Sequence, residues 1–154
     1  MNRVRMIICL IIITITVMSF AAIAETADME ATAWIDKDIN EMISALGLEE
    51  DEWSTEEVPM YKTDGLLVGE YKGLVNYVAI DGSGDFTICE IACGTAADEA
   101  IQSLMEQGFE VGEYSSTDYY FLHNWSDTYM IDMTLFQKDG KVTGISFNKM
   151  HLDR

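Results

Sequence analysis

Two helix-like segments, each ending at a glycine and each followed by strand-like segments, limit this chain to a mixed fold with an internal repeat. In the first segment, apolar residues recur every three or four positions over residues 35–46, and Gly47 stands where a helix normally stops. The second segment covers residues 97–105 and ends at Gly108, which takes the place of Gly47. One such unit could hardly bury its own apolar face, so we expect the two units to share one core.

The stretch 129–147 predicts a β-hairpin with one apolar face. Its odd-numbered residues from 129 to 135 are all apolar, whereas Asp and Thr occupy two of the positions between them. A three-residue loop at 138–140, with glycine in the left-handed position, would join the two strands. That register pairs Met133 with Ile145, so that apolar side chains meet on a single side of the sheet.

The stretch 75–91 has the same construction, with Gly84 at the end of its loop. Laying Gly84 on Gly140 also lays Cys89 on Ile145. We therefore expect Cys89 and Ile145 beneath the helices, with Thr87 to Ala92 forming a strand.

These patterns predict an α+β fold: two tandem helix-plus-antiparallel-strand repeats that share one curved antiparallel sheet, with the helices packed on one face. Repeat 1 is predicted at residues 34–93 and repeat 2 at 94–150, within a single α+β domain at 34–154. The small and polar residues 25–33 predict a linker before this domain.

The first 24 residues have the layout of a secretory signal peptide. Arg3 and Arg5 precede an apolar run at 6–20, and Ala24 ends the segment before the acidic part of the chain. The run is shorter than the roughly 20 residues that a helix needs to cross a bilayer. A signal peptide at 1–24 is therefore favoured over a membrane tether, and it predicts a secreted or cell-envelope protein.

The charge of the chain favours some partners and excludes others. The whole sequence has 27 acidic and 9 basic residues, a net charge of −18, which becomes −20 without residues 1–24 and their two arginines. A field of this sign repels nucleic acid and anionic lipid headgroups. We therefore expect no nucleic-acid partner, no membrane association after the leader is removed, and a preference for a basic protein or peptide.

The two cysteines outside the leader leave three interpretations open. Four residues of strand separate Cys89 from Cys93, about 13 Å, whereas a disulfide needs Cα atoms within about 7 Å. Unpaired thiols with Cys89 packed in the core are the first interpretation. A disulfide through a local bend is the second, and metal or redox chemistry at the pair is the third.

Recognised catalytic motifs are absent from the sequence, which contains no nucleophile elbow, phosphate loop, His-Glu-x-x-His helix or dinucleotide fingerprint. No catalytic residue, metal site or cofactor is therefore predicted. His123 lies in the aromatic segment 119–125 and is interpreted as a packed or surface residue; its alternative role is in a small secreted hydrolase.

Two acidic segments have a structural and a binding interpretation. The six acids at 49–57 around Trp53 fit a solvated loop, or else a surface for a cation or a basic partner. The segment 81–85 has oxygen ligands at alternate positions like the start of a calcium loop. It lacks the glycine and the closing glutamate of that loop, so we interpret it as a hairpin tip.

The second face of the predicted sheet is unusually apolar. An antiparallel sheet covered on one side should be polar on the other. The strand positions opposite Cys89 are instead hydrophobic in the first repeat, and aromatic residues from a neighbouring strand and from the second repeat join them. This face is either an interaction surface or ordinary core beneath another element. Its candidate binding residues are Val78, Ile80, Phe86, Ile88, Tyr119, Phe121, Trp125 and Phe136.

The layout resembles the β-lactamase-inhibitor-protein-like fold, in which two tandem helix-plus-strands units form one curved antiparallel sheet with helices on the outer side. The resemblance covers Trp34 to Met150 and rests on the helix ends "ALGL" and "EQGF", the paired hairpins and the aromatic strand. It implies a concave, aromatic-lined face that binds another protein.

Together these features predict an exported, non-enzymatic module that binds a protein or peptide. A small secreted hydrolase or thiol redox protein that uses His123, an acidic residue or Cys93 is one alternative. A cell-envelope subunit that self-associates through the apolar face is the other.

Overall fold

The computed structural model describes residues 29–152, so the predicted leader lies outside the described residues. The chain forms a short 3-10 helix at Ala31–Trp34 and two α-helices, α1 at Ile39–Leu46 and α2 at Ala97–Glu106. The strands are β1 Met29–Glu30, β2 Glu49–Glu50, β3 Met60–Thr63, β4 Leu66–Tyr71, β5 Leu74–Ile80, β6 Phe86–Ile88, β7 Ile91–Ala92, β8 Glu110–Val111, β9 Tyr119–Trp125, β10 Tyr129–Lys138 and β11 Lys141–His151.

The predicted α+β class with two helix-plus-strands units on one sheet is confirmed. Eight strands form the main sheet in the order β2-β3-β4-β5-β11-β10-β9-β8, with antiparallel pairing throughout. The order α1-β2-β3-β4-β5 recurs as α2-β8-β9-β10-β11, and the last strands of the two units pair at the centre. A smaller sheet of β1, β6 and β7 stands beside the main one.

The two units are built around equivalent two-residue turns. Lys72 and Gly73 connect β4 to β5 with φ of 56° and 81°, and Asp139 and Gly140 connect β10 to β11 with φ of 52° and 74°. Positive φ at both central residues defines the type I′ turn, which matches the twist of the strands it joins. A register shift occurs at the equivalent place in each hairpin, after Gly69 in β4 and after Phe136 in β10.

Each turn also fixes the start of a helix. The backbone N–H of Ile39 donates to the carbonyl of Gly73 at 3.0 Å, and that of Ala97 donates to Gly140 at 2.9 Å. These bonds satisfy one of the N–H groups that a helix leaves open at its first turn. The helices therefore lie on the same side of the sheet in both units, beside the same turn.

The first predicted hairpin, with a loop at residues 82–84, is wrong. Strand β6 pairs with β1 and β7 in the small sheet, and β5 instead pairs with β4 and β11. The structural equivalent of Gly140 is Gly73 and not Gly84. The glycines at 82–84 are needed for another reason: a Cβ on Gly84 would lie 2.4 Å from the carbonyl oxygen of Asp64, and one on Gly82 would lie 2.8 Å from Cβ of Cys93.

The second predicted hairpin is confirmed with a different register. Its loop contains two residues instead of three, which moves the pairing by one residue, and the register shift after Phe136 moves it by one more. Met133 therefore pairs with Phe147, and Leu135 pairs with Ile145. The difference is two residues along the strand, and a shift of two leaves every side chain on its original face. The apolar side of β10 and β11 accordingly faces the core as expected.

One core lies between the helices and the main sheet. Met42 from α1 and Leu104 from α2 are fully buried in the same cluster as Leu135 and Ile145. In the part of the chain from 29 to 152, no helix combines the length and hydrophobicity needed to cross a bilayer.

Two of the predicted binding residues belong to this core. Val78 and Ile80 pair directly with Phe147 and Ile145, and directly paired residues project from the same face of a sheet. They are 0% and 5% exposed. Laying Gly84 on Gly140 aligns the two units with an even offset of 56 residues, whereas laying Gly73 on Gly140 gives an odd offset of 67. Because side chains of a strand alternate between its two faces, the two alignments assign opposite faces to every residue of β5. The predicted turn at 82–84 therefore exchanges the inward and outward positions of β5.

Phe86 and Ile88 lie in the small sheet and not on the second face of the main one. Ile88 is fully buried, and Phe86 is half-buried against the core. Neither is part of the surface that the sequence pattern assigned to them.

The segment around Cys89 is a turn and not a continuous strand. Cys89 and Glu90 have φ of 52° and 66°, and they connect β6 to β7. Cys89 is half-buried against the core, so the thiol does fill space as one interpretation proposed. The end of the predicted linker is also ordered, because Met29 pairs with Phe86 and Ala31 is buried.

Candidate binding face

The face of the main sheet turned away from both helices is the candidate site, and we call it the open face. On β9, Tyr119, Phe121 and Trp125 project to this side, opposite the buried Leu122. Phe136 of β10 pairs with Tyr119 and therefore shares the face. We call these four residues the aromatic patch: three of them are 37% (Tyr119), 61% (Trp125) and 46% (Phe136) exposed.

The aromatic patch is held in place by contacts between its own rings. Tyr119 and Phe136 lie in a tilted arrangement with ring centroids 6.5 Å apart. The imidazole of His123 meets Trp125 edge-on at 6.1 Å. Ring pairs at these separations are mutually attractive, and rigid aromatic side chains lose little entropy when a partner binds. The patch is thus an organised apolar surface in contact with solvent.

Negative charge accompanies this patch. Residues 110–137, which form β8, β9 and all of β10 except its last residue, Lys138, contain five acids and no lysine or arginine. Asp132 lies on the open face opposite His123, and the carboxylate of Glu110 is 3.6 Å from the His123 ring. A partner that covers the patch therefore meets apolar rings and carboxylates together.

The other half of the open face contains a groove of about 400 Å³ that we call the acidic groove. Gly69 forms its floor: a Cβ there would lie 3.0 Å from the Met60 sulfur and 3.1 Å from Cβ of Tyr77. Glu57 and Glu70 are among the residues that line it. The groove combines carboxylates and a tyrosine, which suits a cationic side chain.

The glycine that opens the groove has an exchanged counterpart in the second unit. Gly69 pairs with Tyr77 in the first unit, and at the equivalent positions Phe136 pairs with Gly144. In the first unit the aromatic ring is on β5, the strand at the centre of the sheet, and the glycine is on β4. In the second unit the glycine is on the central strand β11 and the ring is on β10. This exchange places a groove at one end of the open face and a raised aromatic patch at the other.

Half of the predicted binding residues therefore lie together. Tyr119, Phe121, Trp125 and Phe136 share the open face, whereas Val78, Ile80 and Ile88 are core and Phe86 is half-buried. Sequence reasoning missed Tyr77 and Asn148, which border the acidic groove on the same face. The alternation of β5 contained the signal for Tyr77, but the inverted parity assigned it to the core.

The thiols are in the wrong environment for redox chemistry. Cys89 and Cys93, the two cysteines within residues 29–152, are free thiols. Burial, together with the charges of Glu30 and Glu90, raises the pKa of Cys89 to about 12. Burial and the charge of Asp81 also raise the pKa of Cys93. A redox-active thiol needs a lowered pKa, so these groups favour the interpretation as packing residues.

This environment predicts slow alkylation of the native protein. A pKa of about 12 against the usual 9.0 reduces the thiolate fraction of Cys89 by about a thousandfold at neutral pH. We expect iodoacetamide to modify Cys89 and Cys93 far more slowly in the native protein than after unfolding in urea. Site-resolved mass spectrometry measures both rates, and rapid native alkylation of Cys93 would contradict the packing role.

The two acidic segments are engaged in local structure. In the first, Asp51 is buried and its carboxylate lies 2.9 Å from the ammonium of Lys62. The backbone N–H of Trp53 and the Lys62 side chain hold the pKa of Asp51 below its usual value. In the second, the Asp81 carboxylate accepts hydrogen bonds from Ser83. Within residues 29–152, no three His, Cys, Asp or Glu side chains are grouped to hold a metal ion.

Comparison with known proteins gives a fold and no family. No protein-family model and no curated protein sequence matches the chain. An extracellular protein containing an SCP domain from Bacillus anthracis str. Ames has a similar structure, with a TM-score of 0.53 at 8% identity. The match covers 82% of this chain and 47% of that one, so the chain spans about half the length of its structural neighbour.

Proposed function

We propose that this chain is an exported, non-enzymatic module whose open face binds a basic protein or peptide segment. The observation that carries the proposal is the aromatic patch, since Trp125 and Phe136 are large, exposed and on one sheet face. Interfaces are enriched in such anchors, and exposed aromatic clusters on monomers commonly mark binding sites.

The negative charge of the chain favours a basic partner. The chain carries −18 overall, and the strands that form the aromatic patch have acids but no lysine or arginine up to residue 137. Lysine or arginine side chains of a partner would be attracted to Asp132 and to the acidic groove. The same field opposes pairing of two identical copies through this face, so a basic partner is favoured over self-association.

The span of the face fits an extended segment. The aromatic patch and the acidic groove lie at the two ends of five neighbouring strands, β9, β10, β11, β5 and β4. At about 4.8 Å between neighbouring strands, that distance is about 19 Å, or roughly six extended residues. We propose a segment with an apolar or aromatic residue at one end and a basic residue at the other.

Export rests on the leader-like sequence at 1–24, and the extracellular source of the structural neighbour is compatible with it. The resemblance to the β-lactamase-inhibitor-protein-like fold, proposed from the sequence, also implies a sheet face that binds another protein. The raised pKa values of both thiols weigh against the thiol redox alternative.

Fluorescence anisotropy tests the proposal with two labelled peptides of equal length, one of alternating lysine and leucine and one of alternating glutamate and leucine. We expect the lysine peptide to bind and the glutamate peptide not to bind. Trp125→Ala should weaken binding by about thirtyfold, because the loss of an aromatic anchor typically costs about 2 kcal/mol. Added salt should weaken the complex further.

Trp53→Ala is the matched control, because Trp53 is 79% exposed, does not line the acidic groove and lies between β2 and β3, at the edge of the sheet opposite to β9. It removes the same side chain without changing the charge. Equal loss of affinity in Trp53→Ala and Trp125→Ala would contradict the proposed site, and so would equal binding of the two peptides. Light scattering over a concentration series separates partner binding from self-association.

A further inference from the structure

A second cavity lies at the end of the sheet where β11 passes the turn between β4 and β5. It has a volume of about 600 Å³. Apolar parts of its wall come from Tyr71, Leu74, Val75 and Met150. Its charged groups are Lys72, Lys149, His151 and Asp36. We call this cavity the cationic pocket.

The cationic pocket has a positive charge, whereas the molecule as a whole is negatively charged. The chain has three acidic residues for every basic one, 27 against 9. Here two lysines and a histidine face a single carboxylate, so the pocket is positive even with His151 neutral. Clefts lined by one sign of charge concentrate the field and attract ligands of the opposite sign. The surrounding negative surface makes this positive pocket a distinct place for an anion.

Both ammonium groups already have partners in the folded chain. The Nζ atom of Lys149 pairs with the Asp36 carboxylate and lies 4.8 Å from the centre of the Tyr129 ring. The Nζ atom of Lys72 lies 4.9 Å from the centre of the Tyr71 ring. Cation–π contacts and ion pairs restrict these long side chains before any ligand arrives. Less entropy is then lost on binding, which favours affinity.

Asp36 adopts a backbone conformation that the other unit gives to glycine. Asp36 has φ of 66°, and its equivalent Gly94 has φ of 93°. Their N–H groups donate to the equivalent residues Val75 and Val142 at 2.9 and 2.7 Å. An aspartate in this conformation is less favourable than glycine, and such residues concentrate at functional sites. Here the carboxylate positions Lys149, and it lies 2.8 Å from the His151 ring.

The pocket is a property of the first unit and not a by-product of the repeat. At the positions equivalent to Tyr71 and Leu74, the second unit has Lys138 and Lys141. The apolar and aromatic wall is therefore replaced by exposed lysines in the second unit. The pocket also needs the end of β11, which extends to His151.

We infer that the cationic pocket binds a small organic anion, with its acidic group at Lys72 and Lys149 and its apolar or aromatic body against Tyr71, Leu74 and Met150. This site is separate from the aromatic patch and borders the acidic groove, with which it shares Tyr71 and Asn76. The inference does not depend on peptide binding, because Lys72 and Lys149 line the cationic pocket and not the groove. The shared chemistry of the ligand class is one anionic group, a carboxylate or a phosphate, on a body of drug-like size, since pockets of a few hundred Å³ suit such molecules.

Heteronuclear NMR titration with 4-phenylbutyrate tests the inference, and the neutral 4-phenylbutanamide is the control ligand. We expect the anion to shift the backbone amides of Leu74, Asn76 and His151 and the amide ligand to leave them in place. Lys72→Gln should weaken binding of the anion by about tenfold, the effect of one charge-assisted hydrogen bond. Lys72 is exposed, so its substitution should leave the fold intact.

Lys138→Gln makes the same change of charge in the equivalent hairpin of the second unit and should bind 4-phenylbutyrate like the unmodified chain. The inference is overturned if the pocket amides do not shift through the millimolar range. It is also overturned if the neutral ligand shifts them equally or if both lysine variants weaken binding alike. A parallel titration with phenyl phosphate distinguishes carboxylate from phosphate as the preferred acidic group.

Discussion

Ile80→Asp is expected to unfold the protein, whereas Phe136→Asp is expected to leave it folded with a melting temperature within about 5 °C of the original. Both substitutions place an aspartate in a strand of the main sheet. Ile80 is 5% exposed and pairs with Ile145 in the core, so its replacement buries a charge without a partner. That cost exceeds about 4 kcal/mol and is a large part of the stability of a small domain.

Phe136 is the matched comparison because it lies on the open face in contact with solvent. An aspartate there stays hydrated and loses the ring contact with Tyr119. Circular dichroism and thermal unfolding of the two variants measure the difference. If Ile80→Asp were folded and as stable as Phe136→Asp, then β5 would present the opposite face to the core. Other residues of β5 would then belong to the open face.

These two positions also differ in how well the sequence alone predicts them: the face of Phe136 was predictable, whereas that of Ile80 was not. The helix ends at Gly47 and Gly108 and the apolar side of β10 were predictable, because glycine caps and strand alternation are local signals. The pairing of β5 was not local. Two glycine-containing loops, at 72–73 and 82–84, competed for the role of hairpin turn, and the choice decided which side chains pointed inward.

The signal that distinguishes the two loops is the type of turn. The two-residue Lys72-Gly73 loop matches Asp139-Gly140 in length and in its left-handed conformation, and both are flanked by paired strands. The loop at 82–84 is instead shaped by its packing on Gly65 and by the Asp81 side chain, and the contact with Gly65 is one that no local pattern contains. A comparison of the hairpins by turn length would have corrected the parity of β5.

Among the candidate sites, too, some features could be predicted from local sequence patterns and others could not. The aromatic patch was predictable because β9 and β10 alternate regularly and their face follows from the pattern. The acidic groove was not, since it requires Gly69 to approach Tyr77 across two strands whose pairing was missed. The cationic pocket brings together residues from three separate segments, around Asp36, Lys72 and Lys149, and only the folded sheet places them side by side.

The small sheet depends on one carboxylate to a degree that no sequence pattern indicates. Glu30 accepts hydrogen bonds from Thr87 at 3.0 Å and from the backbone N–H groups of Cys89 and Glu90 at 2.9 and 2.7 Å. The backbone and side chain of Thr32 donate to it as well. The carboxylate therefore joins β1 and the 3-10 helix to a turn whose two central residues have positive φ.

Burial alone would raise the pKa of Glu30, but the hydrogen bonds from Thr32, Glu90 and Thr87 outweigh it and hold this pKa below the usual 4.5. A group whose pKa is lower in the folded state binds fewer protons there than in the unfolded chain. Its stabilising effect is complete above about pH 4.5 and is lost as the pH falls through the lowered pKa. Acid should therefore weaken the attachment of β1.

Glu30→Gln is accordingly expected to lower the free energy of unfolding by about 2 kcal/mol at neutral pH, because the amide presents donors to groups that are themselves donors. Urea unfolding followed by tryptophan fluorescence measures the loss. The difference from the original chain should shrink as the pH falls below about 4.5 and through the lowered pKa of Glu30, because its carboxylate is then protonated. Glu90→Gln, an identical change on an exposed neighbour, should cost far less. If the two variants were equally stable at every pH, the hydrogen-bonded carboxylate would have no role in fixing the turn, and β1 would be attached by backbone pairing alone.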